Sequence, residues 1–157
     1  MALIYETENF IVESADKPHI TRTDGGHVRV LPKVSVHDRT QLSPSLAIEL
    51  MRLTMMVGEA MAQAMNRRGI DVERINYQDM GNWTVNLPEG PHLHIQVYGR
   101  ARSAKFQPWG EAVHLPQRST GFYDAFEPLN QEDITVLRDT ITKLLGQPKY
   151  QDALWHL

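Results

Sequence analysis

The ten residues PHLHIQVYGR, Pro91 to Arg100, alternate two chemistries. His92, His94 and Gln96 recur at every second position, and Leu93, Ile95 and Val97 fill the gaps between them. Successive side chains of an extended chain point to opposite faces. The run therefore predicts a strand with one apolar face seated under a helix. The other face, carrying two imidazoles and an amide, turns to a polar pocket or to solvent.

The flanking sequence supplies the partners. Leu3–Glu6 and Asn9–Ser14 are short β-rich runs that suggest an opening hairpin. Residues 16–26 are polar, with Pro18 and a Gly-Gly pair, and read as a loop. His27–Leu31 is a strand with Val28 and Val30 on one side and His27, Arg29 and Leu31 on the other, ended by Pro32. The clearest helix runs from Ser43 to Arg68. Ser43 caps it, Pro44 occupies the first helical position and Gly69 stops it. Leu46, Leu50, Leu53, Val57, Met61 and Ala64 form its apolar stripe. Its five methionines fit ordinary core filling better than an adaptable binding surface. Val72–Gln78 is a further strand, and residues 80–91 are a turn-rich connection. Residues 100–128 show little periodicity and predict a long excursion. Asn130–Leu145 is a second helix, stopped by Gly146 and Pro148. The tail YQDALWHL can dock as a last turn. Strands joined by short turns, with one long and one later helix, predict an α+β fold.

At 157 residues the chain fits a single domain, 1–157, able to bury a core without staples. It has no cysteine, which excludes disulfides and thiolate metal sites and suits a reducing cytoplasm. A formal net charge of −3 argues against a partner that is a nucleic-acid polymer or an anionic membrane surface. MALIYETENF does not read as a signal peptide, and no apolar run is long enough to span a bilayer.

Three roles fit the polar face of the quoted strand. Its histidines can be plain surface residues. His92 and His94 can begin a metal site completed by His27, Glu111 or His114, although Gln96 is a poor ligand for a tight zinc site. Or one imidazole is a nucleophile toward phosphorus. An unperturbed pKa of about 6.5 leaves the ring mostly neutral at pH 7. If one ring nitrogen donates to a backbone carbonyl, the other exposes a lone pair, and the remaining polar groups can grip phosphate oxygens.

PHLHIQVYGR also resembles the signature of the histidine-triad (HIT) superfamily, in which three histidines alternate with apolar residues. GGHVRVLPK, residues 25–33, is similar to the strand that lies upstream in those proteins, and IYETENFIVE is similar to their opening hairpin. The resemblance covers roughly residues 3–100; residues 101–157 then form a variable C-terminal extension with a helix near 130–145. It implies a HIT-like antiparallel sheet of about five strands, with one long helix packed on it and a second C-terminal helix. It implies a nucleotide hydrolase or nucleotidyltransferase acting on a nucleotide or dinucleotide at the α-phosphate. No cofactor is implied beyond magnesium carried by the nucleotide, no metal is resident, and the partner is a second copy in a homodimer. His94 stands at the nucleophile position, and His92 at the first triad position, which orients nucleophile and phosphate. Gln96 replaces the third histidine. His27 matches the upstream strand histidine, and Gln78 and Asn82 are the nearest equivalents of the amides that touch phosphate or ribose.

Two departures stand out. Pro88–Pro91 replaces the short polar approach to the first triad histidine, which lengthens the gap from Gln78 and Asn82. Gln96 can donate a hydrogen bond but cannot pass a proton. That tilts the expected substrate from phosphoramidates, whose amine leaving group needs protonation, toward phosphoanhydrides. It also leaves open a nucleotide-binding module with little or no turnover. Arg29, Lys33, Arg100, Arg102 and Lys105 flank the two motif strands, and Arg100 is the expected phosphate contact. Trp83 and Trp109 are either base-stacking or core aromatics.

Overall fold

A capped, amphipathic helix organises the chain. The structure, a computed structural model, describes residues 1–157. Helix α1 spans Pro44–Arg67, and the Ser43 hydroxyl accepts from the Leu46 amide at its start. Gly69, with φ of +80°, takes the left-handed turn that ends it. Strands β1 (Ala2–Glu6), β2 (Phe10–Ser14), β3 (His27–Pro32), β4 (Val72–Asp79) and β5 (Ile95–Ala101) form one antiparallel sheet in the order β1-β2-β3-β5-β4. Helix α2 spans Gln131–Leu145 and opens on a reciprocal cap between Asn130 and Asp133. A short helix α3, Asp152–Trp155, follows a turn at Pro148–Tyr150.

One sheet face carries the core. Val28, Val30, Leu93, Ile95 and Val97 pack with Leu53, Val57 and Met61 of α1 and with Ile134, Leu137 and Ile141 of α2. Each fully buried aliphatic side chain contributes about 1.5–3 kcal/mol, so the alternation in the quoted stretch is a strong anchor. Met56, Met61 and Met65 are core residues, whereas Met51 and Met55 are exposed.

The strand begins later than the alternation predicts. β3 and β4 both pair with β5 no further back than Ile95. His92, Leu93 and His94 precede the ladder, and the Leu93 amide donates instead to the Val36 carbonyl at 2.8 Å.

The excursion, residues 102–128, folds across the other sheet face with only one short 3-10 turn, Arg118–Thr120. Three buried polar side chains hold it. Asp24 accepts from the amides of Lys105, Phe106 and Gln107 at 2.8–2.9 Å. Gln107, fully buried, donates to the carbonyls of His19 and His114 and accepts from the His114 amide. Arg100 donates to the carbonyls of Pro108 and Glu111 and to Asn76 Oδ1. Gly25 and Gly99 bring Asp24 to this height: a Cβ on Gly25 would lie 2.3 Å from the Gly99 carbonyl oxygen, and Gly25 has φ of +128°. No helix is long and apolar enough to cross a membrane.

Candidate active site

The polar face of the sheet is built in rows. Directly opposed residues of antiparallel strands share a face. Arg29, Gln96 and Gln78 are opposed across β3, β5 and β4, and Glu13 of β2 extends the row and pairs with the Arg29 guanidinium. His27, Tyr98 and Asn76 form the next row. Arg29 Nε and Gln78 Oε1 are buried without a hydrogen-bond partner in the chain; a buried polar atom left so calls for a partner such as a ligand group or a water.

Hydrogen bonds fix the protons on two rings. His94 Nδ1 lies 3.0 Å from the His92 carbonyl oxygen. A carbonyl only accepts, so Nδ1 carries the hydrogen and Nε2 presents its lone pair. Burial holds the His94 pKa below its ordinary value, against the weaker opposing effect of the bond to the His92 carbonyl. The ring is therefore neutral at pH 7. It stacks on the His92 ring at 4.9 Å between centroids.

His27 Nδ1 accepts from the His19 amide at 3.1 Å, so the hydrogen is on Nε2, which donates to Gln96 Oε1 at 2.5 Å. That bond turns the Gln96 NH2 group away from His27, and no chain atom accepts from it. Burial, then the neighbouring His19, pushes the His27 pKa well below 6.5, while the bond to Gln96 opposes. Both ring nitrogens of His27 are committed, so it cannot serve as the third ligand of a metal site. No three histidine or carboxylate side chains are placed so that together they could hold a metal ion.

His19 completes the cluster. Its Nδ1 lies 2.8 Å from the Tyr98 hydroxyl, and its ring stacks on His27 at 5.1 Å. Burial, reinforced by the charges of Arg118 and Arg29, lowers its pKa to about 4. A polar cavity of about 300 Å3 opens here, lined by Lys17, His19, His27, Arg29, Gln96 and Arg118. On the other side of His19 lies a cavity of about 590 Å3, walled by Trp83, Val85, Leu115 and Tyr123. His92 and His94 line neither. They stand beside the polar one, close enough that a charge on His94 would disfavour protonation of His19 and His27.

The structure thus brings His27, Gln96 and Gln78 together, with His94 and His92 adjacent. Asn82 is exposed, in the 3-10 turn Gly81–Thr84, and lines the larger cavity instead. Arg100 corrects the expectation from sequence: it is 4 % exposed and its donors brace the excursion, so it is not open to a phosphate. Lys33 pairs with Glu6, and Arg102 with Glu73. Of the expected cations only Arg29 borders the cavity. Trp109 is exposed and lies under the Arg102 guanidinium, not at the site. Residues missed from sequence are His19, Tyr98 and Arg118. His19 and Arg118 sit in aperiodic segments, and only Tyr98 carried a signal: it is two positions beyond Gln96 on the same strand face.

No family model and no curated protein matches the chain. Solved structures do. A histidine-triad protein from Marinobacter aquaeolei has a TM-score of 0.62 at 18% identity, covering 92% of this chain and 88% of that one. A hypothetical histidine-triad nucleotide-binding protein from Sulfolobus tokodaii has a TM-score of 0.61 at 15% identity, covering 94% and 87%. A zinc-bound histidine-triad family protein from Mycobacterium smegmatis has a TM-score of 0.59 at 20% identity, covering 90% and 84%. The likeness extends through the excursion and α2, beyond the span on which the sequence resemblance rests. The chain has the histidine-triad fold.

Proposed function

We propose that the protein is a nucleotide-processing enzyme of histidine-triad type, a hydrolase or nucleotidyltransferase working through His94. The observation that carries the reading is the 3.0 Å approach of His94 Nδ1 to the His92 carbonyl oxygen; because a carbonyl only accepts, the ring hydrogen sits on Nδ1 and Nε2 keeps a free lone pair. Nε2 attacks the α-phosphorus of a nucleotide, an N–P bond forms and the bond to the leaving group breaks. The imidazole gains positive charge as it bonds, and its Nδ1–H bond to the His92 carbonyl strengthens because the donor is now cationic. Water or another acceptor then attacks the same phosphorus and releases the ring. The Gln96 NH2 group and Arg29 supply donors to the phosphate oxygens. No resident metal is required; magnesium can enter bound to the nucleotide.

Incubation with a dinucleoside polyphosphate, followed by intact-mass measurement, tests the reading. The expected result is a nucleotidyl adduct that His94→Ala abolishes. Binding without adduct or turnover would instead favour a binding module. One observation supports that second reading: the residue at position 96 is an amide tied to a neutral His27, so neither can deliver a proton.

The proposal includes a homodimer. β4 is a free sheet edge, and Met51, Met55 and Tyr77 are exposed beside it around an apolar groove of about 350 Å3. Sedimentation equilibrium decides this, with a monomer overturning it.

A further inference from the structure

The carbonyl that holds the His94 ring lies outside the sheet. His92 precedes the ladder, so no strand pairing sets the direction of its C=O. The other end of the same peptide unit sets it instead. A trans peptide is planar, with its C=O and N–H pointing in opposite directions, and the chain has no cis bond. The Leu93 N–H donates to the Val36 carbonyl at 2.8 Å. The His92 C=O therefore faces the opposite way, where it accepts from His94 Nδ1 at 3.0 Å. The Val36 carbonyl is held in the same manner. Its peptide unit ends in the His37 N–H, which donates to Gln41 Oε1 at 2.6 Å. Gln41 closes the 3-10 turn Arg39–Gln41, which Asp38 caps and the Arg39–Asp79 ion pair ties to the end of β4. Gly81 packs directly on the far carbonyl: a Cβ there would lie 2.8 Å from the His92 oxygen.

Resting on the nucleophile proposed for His94, we infer that Gln41 is a positioning residue for that imidazole, acting through two peptide units, with Gly81 leaving room for the His92 carbonyl. The three hydrogen bonds run head to tail, from His94 Nδ1–H through the two amides to Gln41 Oε1. Bonds in such a chain polarise one another, so an acceptor at the far end makes the His92 carbonyl a better acceptor at the near end. That favours the Nδ1–H form of the ring. It favours still more the cation that forms when Nε2 bonds to phosphorus. Gln41 is exposed and lines neither cavity of the site, so its effect on the reaction passes through the chain of amides.

Imidazole nitrogen-15 resonances of the full chain, which report the tautomer of His94, and the single-turnover rate of adduct formation with a dinucleoside polyphosphate test the inference together. Gln41→Ala is expected to bring in the Nε2–H form of His94 and to slow adduct formation about fivefold, with nucleotide affinity within about twofold. Gln41→Glu, which keeps an oxygen acceptor, is expected to restore the parental tautomer and rate. Gly81→Ala pushes on the His92 carbonyl itself and is expected to slow the step about tenfold. The bond to that carbonyl holds the His94 pKa up against burial. Weakening it in Gln41→Ala should therefore move the acid limb of the rate profile to lower pH. Gln41 and Gly81 lie outside the core cluster, and Gln41 is exposed, so the Gln41 variants keep the fold. A Gln41→Ala variant with the parental tautomer and the parental acid limb overturns the inference, and so does a Gln41→Glu variant that behaves like Gln41→Ala. The outcome is separable from the covalent chemistry. A parent chain that forms no adduct sinks the nucleotidyl transfer, while the nitrogen-15 resonances still decide whether Gln41 sets the ring.

Discussion

Gln96 and Arg100 lie on the same face of β5, yet their surroundings have little in common. Around Gln96 the sheet is open. Arg29 Nε and Gln78 Oε1 are buried without a partner, the Gln96 NH2 group and His94 Nε2 have none within the chain, and a cavity opens at Gln96 and Arg29 beside them. Around Arg100 the excursion lies directly on the sheet. There Arg100 and Asp24 bond to backbone groups of the segment above them, Gln107 of that segment bonds to the His19 and His114 carbonyls, and only Arg100 Nε is left over. Buried polar side chains are thus used in two ways. Where their hydrogen bonds close on backbone they act as struts; where several stay open together they make a site.

Substitutions in the two halves should therefore fail differently. His94→Ala, in the open half, removes the proposed nucleophile and is expected to lower turnover at least about a thousandfold. Its urea midpoint should stay close to the parent's, because the lost ring makes one hydrogen bond and one stacking contact. Asp24→Ala, in the sealed half, is expected to do the opposite. It strips three amides of their acceptor and should cost about 3 kcal/mol in urea unfolding. A nucleotidyl adduct should still form on the folded fraction. If Asp24→Ala abolished the adduct at low temperature while leaving the urea midpoint unchanged, the division into strut and site would be wrong.

Much of this was readable from residue order. The α1 stripe, its cap and its glycine stop follow from helical spacing, and Leu93, Ile95 and Val97 announce the buried face of the strand. The neutral imidazole with a free nitrogen was also foreseeable, because His94 needs only the carbonyl two residues back. Arg100 was not. Alternation tells which face a side chain leaves from, but not what lies above that face. The covering segment has no periodicity, and its attachment to Asp24 spans more than eighty residues of chain. His19 was hidden for a similar reason: its place beside His27 depends on a loop whose height is set by the contact of Gly25 with Gly99.

Acidity offers a third way to separate the halves. His19, His27 and His94 all have folded pKa values below the unfolded value of about 6.5; that of His19 is about 4. The unfolded chain thus binds protons that the folded chain refuses. Stability is full above about pH 6.5 and falls as the pH drops toward the folded values. His19 alone should remove about 2 kcal/mol between pH 7 and pH 5. Urea midpoints at the two pH values check this, and His19→Asn should flatten the slope. A slope unchanged by that substitution would mean that the ring is not buried in its neutral form.

The smallest expected effect probes the amide that replaces a histidine. His27 donates its Nε2–H to whatever stands at position 96. In Gln96→His the nearer imidazole nitrogen must accept that bond, so the farther one carries a hydrogen and faces the phosphate. A donor is therefore kept where the Gln96 NH2 group now stands, and binding of the nucleotide should change little. What the substitution adds is a group that can take and release a proton. Cleavage of a nucleoside phosphoramidate, whose amine must leave protonated, should rise about tenfold. Hydrolysis of a dinucleoside polyphosphate, whose leaving group is already a phosphate, should stay within about twofold. Equal acceleration of both would place the effect in phosphate binding, and no acceleration of either would show that protonation of the leaving group is not what limits the amide-bearing site.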